Sequence, residues 1–143
     1  MLTAHRQVKA LQRWIDMTDM FADFEFNAPT DCDITQVHGM ALPKDYLEFM
    51  HKHNGGEGPV GENAYLQLTA LEELEQFNED YGIFERLSGI FIFGTDLGGM
   101  LFGCKGSEGT YCAIDSCSIA PEDIFWVGKD FEGFIKALDA GEL

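Results

Sequence analysis

Residues 42–58, LPKDYLEFMHKHNGGEG, constrain the fold more than any other stretch, because they specify a helix and its abrupt end in one run. Pro43 suits a first helical turn, where its fixed φ fits and its missing N–H costs nothing. Asp45 adds favourable negative charge to that turn. Leu42, Tyr46, Phe49, Met50 and His53 recur at helical spacing and form one buried stripe. Asn54, Gly55 and Gly56 then supply the left-handed conformations that end a helix and turn the chain sharply. Glu57 and Glu62, close behind them, have no such structural reason to be there.

The rest of the chain extends this beginning into an α+β order. Ala4, Val8, Leu11 and Ile15 predict an amphipathic helix over 3–16, which Met17, Met20, Phe21 and Phe24 can prolong. Asn27-Ala28-Pro29 breaks it, and residues 30–41, without a clear period, read as a loop. Residues 62–68 alternate as a strand, with Ala64, Leu66 and Leu68 on one face. Thr69 and Glu72 have the spacing of a capping box opening a helix over 69–81. Ala70, Leu74, Phe77 and Tyr81 form its expected buried stripe, and Gly82 ends it. Residues 90–93, IFIF, are apolar on both faces, as in a central strand covered on each side. The turn GTDLGG over 94–99 leads into strands at 100–104 and 110–114, then a short strand at 125–127. Asp130 caps a last helix that buries Phe131, Phe134, Ile135 and Leu138. The expected architecture is one α+β domain over residues 1–143, with a mainly antiparallel sheet and helices packed on it.

Charge is the most informative bulk property. The formal net charge is −16. Residues 1–53 hold 8 acids against 5 Lys and Arg, a net of −3, while residues 54–143 hold 17 acids against 4, a net of −13. Such a surface repels nucleic acid and anionic membranes and attracts basic partners. No apolar run approaches the length of a membrane span, and the N-terminus lacks the apolar core of a signal peptide. A cytoplasmic protein with reduced cysteines is expected.

Candidate chemistry is sparse. His51 and His53 stand two apart on a helix and face different ways, so they do not share a metal. Cys104, Cys112 and Cys117 lack the paired spacing of a zinc site. GTDLGG lacks the lysine of a phosphate loop, and Asp96 within it suits hydrogen bonding to turn N–H groups. No catalytic residue, cofactor or metal is expected. A loop of Ser107-Glu108-Gly109 would set Lys105 against Tyr111, Cys104 against Cys112 and Phe102 against Ile114 across a hairpin. The two cysteines would then pack, reduced, on one face.

Three stretches in order resemble the SUKH superfamily. The first is LPKDYLEFMHKHNGGEG, carrying Pro43, Tyr46, Asn54, Gly55 and Gly56. The second is IFIFGTDLGGMLFG over 90–103, carrying Gly94, Asp96, Gly98 and Gly99. The third runs from GTYCAID to DFEGFIKAL. The likeness covers residues 37–138 and leaves 1–36 as a divergent N-terminal helical segment. It implies helices packed on a strongly bent sheet. It also implies a non-catalytic immunity protein that neutralises a cognate polymorphic-toxin domain, often a nuclease. The alternative is an intracellular scaffold of the cell-wall glucan-synthesis regulator type. Neither role needs a cofactor, direct contact with nucleic acid, or a membrane, and a monomer or weak homodimer suffices.

The partner is expected to be basic. Glu72, Glu73, Glu75, Glu79 and Asp80 give the helix at 69–81 an acidic face of mutually repelling charges, and together with Glu57 and Glu62 they are the expected contact residues. If that whole face takes part, reversing Glu75 and Glu79 to Lys slows association and flattens its salt dependence, as measured by stopped-flow or biosensor kinetics.

Overall fold

The structure, a computed structural model, describes residues 19–143; the helix expected over 3–16 lies outside them. Nine strands follow in chain order, β1 (Glu25–Phe26), β2 (Gln36–Val37), β3 (Met40–Ala41), β4 (Gly56–Val60), β5 (Ala64–Leu68), β6 (Ile90–Thr95), β7 (Met100–Lys105), β8 (Thr110–Asp115) and β9 (Phe125–Gly128). The helices are α1 (Lys44–His53), α2 (Leu74–Asp80), α3 (Ile83–Arg86) and α4 (Phe131–Asp139). Seven strands form one sheet in the order β1-β4-β5-β6-β7-β8-β9, and every neighbouring pair is antiparallel. The α+β class, with a mainly antiparallel sheet under packed helices, is therefore as the periodicities indicate.

The sheet carries apolar side chains on both faces. On one, Phe91, Phe93, Phe102, Cys104 and Tyr111 pack against Tyr46, Phe49 and Met50 of α1 and Phe131, Phe134 and Ile135 of α4. On the other, Ile90, Ile92, Leu101, Cys112 and Ile114 meet Ile83 and Leu87 around α3. Strand β6 is buried along its whole length, which is why IFIF has no polar alternation.

Asp45 joins the elements of the first face. Its Oδ1 accepts from the Tyr46 N–H at 2.8 Å and from the Tyr111 hydroxyl at 3.1 Å. Its Oδ2 accepts from the Phe131 N–H at 2.7 Å, at the start of α4. Asp130 caps the same helix as expected, accepting from the Gly133 N–H at 2.6 Å. Pro43 sits one position earlier than anticipated, as the extended residue that precedes α1.

Three expectations need correction. Residues 30–41 contain a small hairpin, in which β2 and β3 pair around His38 and Gly39, both at positive φ (48° and 79°). That is the two-residue hairpin geometry, and His38 is held by stacking on Phe84 at 4.1 Å.

The β7–β8 loop is the second. It has four residues, Gly106 to Gly109, because Lys105 pairs with Thr110. Gly109 is left-handed as expected (φ 66°), but the turn begins one residue earlier, at Gly106. Cys104 therefore pairs with Tyr111, Gly103 with Cys112 and Leu101 with Ile114. One residue of register flips a strand face, so Cys104 and Cys112 lie on opposite faces of the sheet, in separate clusters. Both are free thiols, and burial pushes Cys104 well up and Cys112 up to about 12.

The third concerns the helix at 69–81. A 3-10 turn over Leu71–Glu73 precedes α2, and no side chain of its own caps it. Its buried residues are Leu71, Leu74 and Asn78, while Ala70 and Phe77 are half-buried and Tyr81 is exposed. Asn78 takes an inward position because β5 leaves β6 after only two residue pairs. That departure would strand the backbone of Ile92. The Asn78 amide replaces the missing strand, accepting from the Ile92 N–H at 2.7 Å and donating to the Ile92 carbonyl at 2.8 Å.

Tyr46 is the opposite case, a fully buried hydroxyl without a hydrogen-bond partner among the described residues. Replacing a partnered buried amide strands its partners, whereas deleting an unpartnered hydroxyl removes a desolvation cost. Asn78→Leu is expected to cost about 3 kcal/mol or more, and Tyr46→Phe to be neutral or stabilising by up to about 1 kcal/mol. Urea unfolding of both variants checks this ranking, and a large loss in Tyr46→Phe would reveal a partner such as a buried water.

Candidate interaction groove

The corner after α1 assembles the site. Asn54 is left-handed (φ 39°) and closes the helix by donating its N–H to the Met50 carbonyl at 2.7 Å. Asn27 fastens the corner from outside, its N–H donating to the Gly55 carbonyl at 2.9 Å and its amide to the Asn54 carbonyl at 3.1 Å. At Gly56 (φ 142°) any Cβ would collide with the Glu25 carbonyl oxygen, so glycine lets β1 lie directly against β4. Gly94 allows the same closeness between β6 and β5, since a Cβ there would sit 2.6 Å from the Gln67 carbonyl oxygen. In the turn after β6, Asp96 accepts from the Gly98 N–H at 2.7 Å and the Met100 N–H at 3.0 Å, and Gly99 takes positive φ (109°).

The Asn54 side chain does what the expected capping box does not. Its Oδ1 accepts from the Leu71 N–H at 3.0 Å, and its Nδ2 donates to the Glu72 carboxylate at 3.0 Å. Thr30 Oγ1 donates to the other Glu72 oxygen at 2.6 Å. The hydrogen bond from Thr30, then that from Asn54, lowers the pKa of Glu72. Glu72, although exposed, thus ties α1, the loop at Thr30 and the start of the 3-10 turn together at the surface.

That latch leaves an open groove of about 770 Å³ between the solvent face of β1, β4 and β5 and one stripe of α2. On the sheet side Glu25 pairs directly with Glu57, and Glu57 with Gln67. The Glu57 carboxylate is oriented by the Tyr65 hydroxyl at 2.6 Å and by Gln67 Nε2 at 3.2 Å. Tyr65 is raised in pKa, first by its bond to Glu57 and further by the charges of Glu57 and Glu25. On the helix side Glu73, Gln76, Phe77 and Asp80 share one face at helical spacing, with Gln76 Nε2 donating to Asp80 at 2.8 Å. No Lys, Arg or His lines the groove among the described residues. His53 stacks on Phe26 at 4.0 Å just behind it, and burial followed by the charge of Lys52 lowers its pKa, favouring the neutral ring.

The structure therefore gathers three of the expected contact residues, Glu57, Glu73 and Asp80, around one groove. Glu75 and Glu79 lie off the groove-facing stripe. Glu62 sits in the β4–β5 turn, where its N–H donates to Asp139 at 3.3 Å. Glu25 was not anticipated; the alternation of Phe24, Glu25 and Phe26 was the available signal. Among the described residues, no group of three His, Cys, Asp or Glu is placed to hold a metal ion, and no helix is long and apolar enough to cross a membrane.

An acid-lined groove thus lies beside β1, the edge strand of the sheet. Residues 33–137 match the SMI1 / KNR4 family (SUKH-1), and the chain belongs to that family. The chain is also 35% identical over 86 residues to a Bacillus subtilis (strain 168) protein named Uncharacterized protein YobM. The match takes in 54% of this chain and 46% of that one, so the chain spans about half the length of this relative.

Asn54→Asp would place a second carboxylate beside Glu72 in a buried corner, so the new group titrates above its unfolded value. An acid with a raised folded pKa destabilises increasingly as pH rises through that window. In the parent protein the sign is reversed, since Glu72, with its lowered pKa, stabilises at neutral pH and loses that contribution as pH falls through its folded value. The variant is expected to lose about 2–3 kcal/mol at pH 7 and to recover most of the difference near pH 4. Urea unfolding across a pH series reads this, and a pH-independent deficit would show that the two side chains do not interact.

Proposed function

We propose that this protein is a non-catalytic immunity protein that acts in the cytoplasm by binding a cognate toxin domain with a basic surface, such as a nuclease. The observation that carries this reading is the set of carboxylates, without a Lys, Arg or His among the described lining residues, in one groove of a SUKH-family frame. A nuclease must present Lys and Arg where it grips phosphates. An acidic protein occupying that surface blocks substrate entry, and its field speeds its own capture. A one-to-one complex suffices, and no chemistry is required of the inhibitor.

The experiment is a search of the neighbouring genes for a toxin domain, followed by co-expression of that domain with this protein. Survival should depend on this protein, the purified pair should form a stoichiometric complex, and association should slow steeply with added salt. No single Cys, His or Asp substitution that preserves the fold should abolish protection through lost chemistry. Turnover of a nucleotide or peptide by the purified protein would contradict the reading. The absence of any toxin gene nearby, together with capture of a cell-wall synthesis regulator, would favour the scaffold role instead.

A further inference from the structure

We infer that the groove between the β1–β4–β5 face and α2 seats an arginine-bearing segment of the protein partner. The existence of a protein partner rests on the immunity reading above; the chemistry of the seat is argued from the groove itself.

Glu25 and Glu57 stand directly opposite each other on neighbouring strands. Like charges in that position destabilise a sheet, and no Lys or Arg among the described residues lines the groove to relieve them. Asp80, on the facing wall, adds to the same field. Glu57 is also pre-aimed, because Tyr65 and Gln67 already fix its orientation while using only part of its accepting capacity. A cation entering here meets oriented oxygens instead of mobile side chains.

The lining selects among cations. Phe26, Leu68 and Phe77 give the groove apolar walls between the carboxylates. A guanidinium combines an apolar planar face with donors along its edge, and it is less strongly hydrated than an ammonium. It can lie on an aromatic ring while its edge reaches carboxylate oxygens.

The occupant comes from outside this chain. The strand of chain preceding β1 runs along β4 towards its far end, where the Met20 carbonyl accepts from the Gly61 N–H at 2.7 Å. The described residues therefore begin near the far end of β4, away from the groove. A second copy carries the same net charge of −16 and is repelled.

The test uses the full chain and a fluorescent acetylated peptide of alternating glycine and arginine, followed by fluorescence polarisation at low ionic strength. Saturable one-to-one binding is expected. It should weaken about tenfold or more in Glu57→Gln/Glu73→Gln and for the same peptide carrying citrulline, the neutral isostere of arginine. Glu122→Gln/Glu142→Gln, which removes two exposed acids outside the groove, should bind as the parent does. Glu25→Gln should raise the thermal midpoint of the free protein while weakening peptide binding, because it relieves the cross-strand repulsion that the ligand otherwise relieves. Non-saturable binding, equal binding of the citrulline or lysine peptide, or equal loss in the control pair would overturn the assignment. So would tighter peptide binding in full-length Arg6→Glu/Lys9→Glu/Arg13→Glu, which would make the chain's own N-terminal segment the occupant. Failure of the two readings is distinguishable. A Glu57→Gln/Glu73→Gln protein that still neutralises the toxin sinks the groove and keeps the immunity function. Arginine-specific groove binding by a protein that neutralises no toxin does the reverse.

Discussion

The Asn54 side chain is the joint on which the rest of the molecule depends. One residue ends α1 through its backbone, turns the chain by its left-handed conformation, and reaches across to the Leu71 N–H and the Glu72 carboxylate. Helix ends leave backbone groups without partners, and here one residue serves both, its backbone N–H at the end of α1 and its side-chain Oδ1 at the start of the next helical segment. Glycine could take the backbone conformation, and serine could accept from Leu71. Asparagine combines tolerance of left-handed φ with a donor and an acceptor in one short planar group. That combination accounts for the Asn-Gly-Gly order: asparagine supplies the latch, and the glycines supply the close approach to β1 and β5.

Asn78 applies the same device to the opposite wall. A seven-stranded sheet cannot remain fully paired where β5 parts from β6, and an open backbone in a buried place is costly. The Asn78 amide fills that gap and fixes α2 to β6 at the same time. Both walls of the groove are thus fastened by buried asparagine amides, and its opening does not depend on the charged side chains that line it. The groove carboxylates are not what holds the walls apart.

Much of this was legible in the sequence, for identifiable reasons. Helix α1, the buried β6 and the Asp130 cap are local features, and their periodicities and capping residues sit within a few positions of one another. What failed was non-local or turned on a single residue. The Thr69–Glu72 capping box has the right spacing, but Thr30 and Asn54, distant in sequence, compete for Glu72 and prevail. Asn78 is missing from the expected buried stripe because a buried asparagine makes sense only once the gap in the sheet is known. The β7–β8 hairpin depended on whether the loop began at Gly106 or Ser107, and that one residue decided which faces Cys104 and Cys112 occupy. The acidic character of the site was readable from composition, but adjacency was not: Glu25 meets Glu57 through strand pairing, and Glu73 and Asp80 meet them only across the groove.

Neighbouring acids on one short segment have separate physical fates. Glu72 is held at the surface by Thr30 and Asn54 and stabilises the fold. Glu73, the next residue, turns towards the groove, while Glu75 and Glu79 fall on other faces of α2. A run of acids that looks uniform in sequence therefore divides into a latch, a groove wall and an outer field. The outer field acts at the range of a Debye length, about 8–10 Å at physiological salt, and can affect how fast a basic partner arrives. On the reading proposed above, the groove carboxylates, with Glu57 oriented by Tyr65 and Gln67, would set how tightly that partner stays.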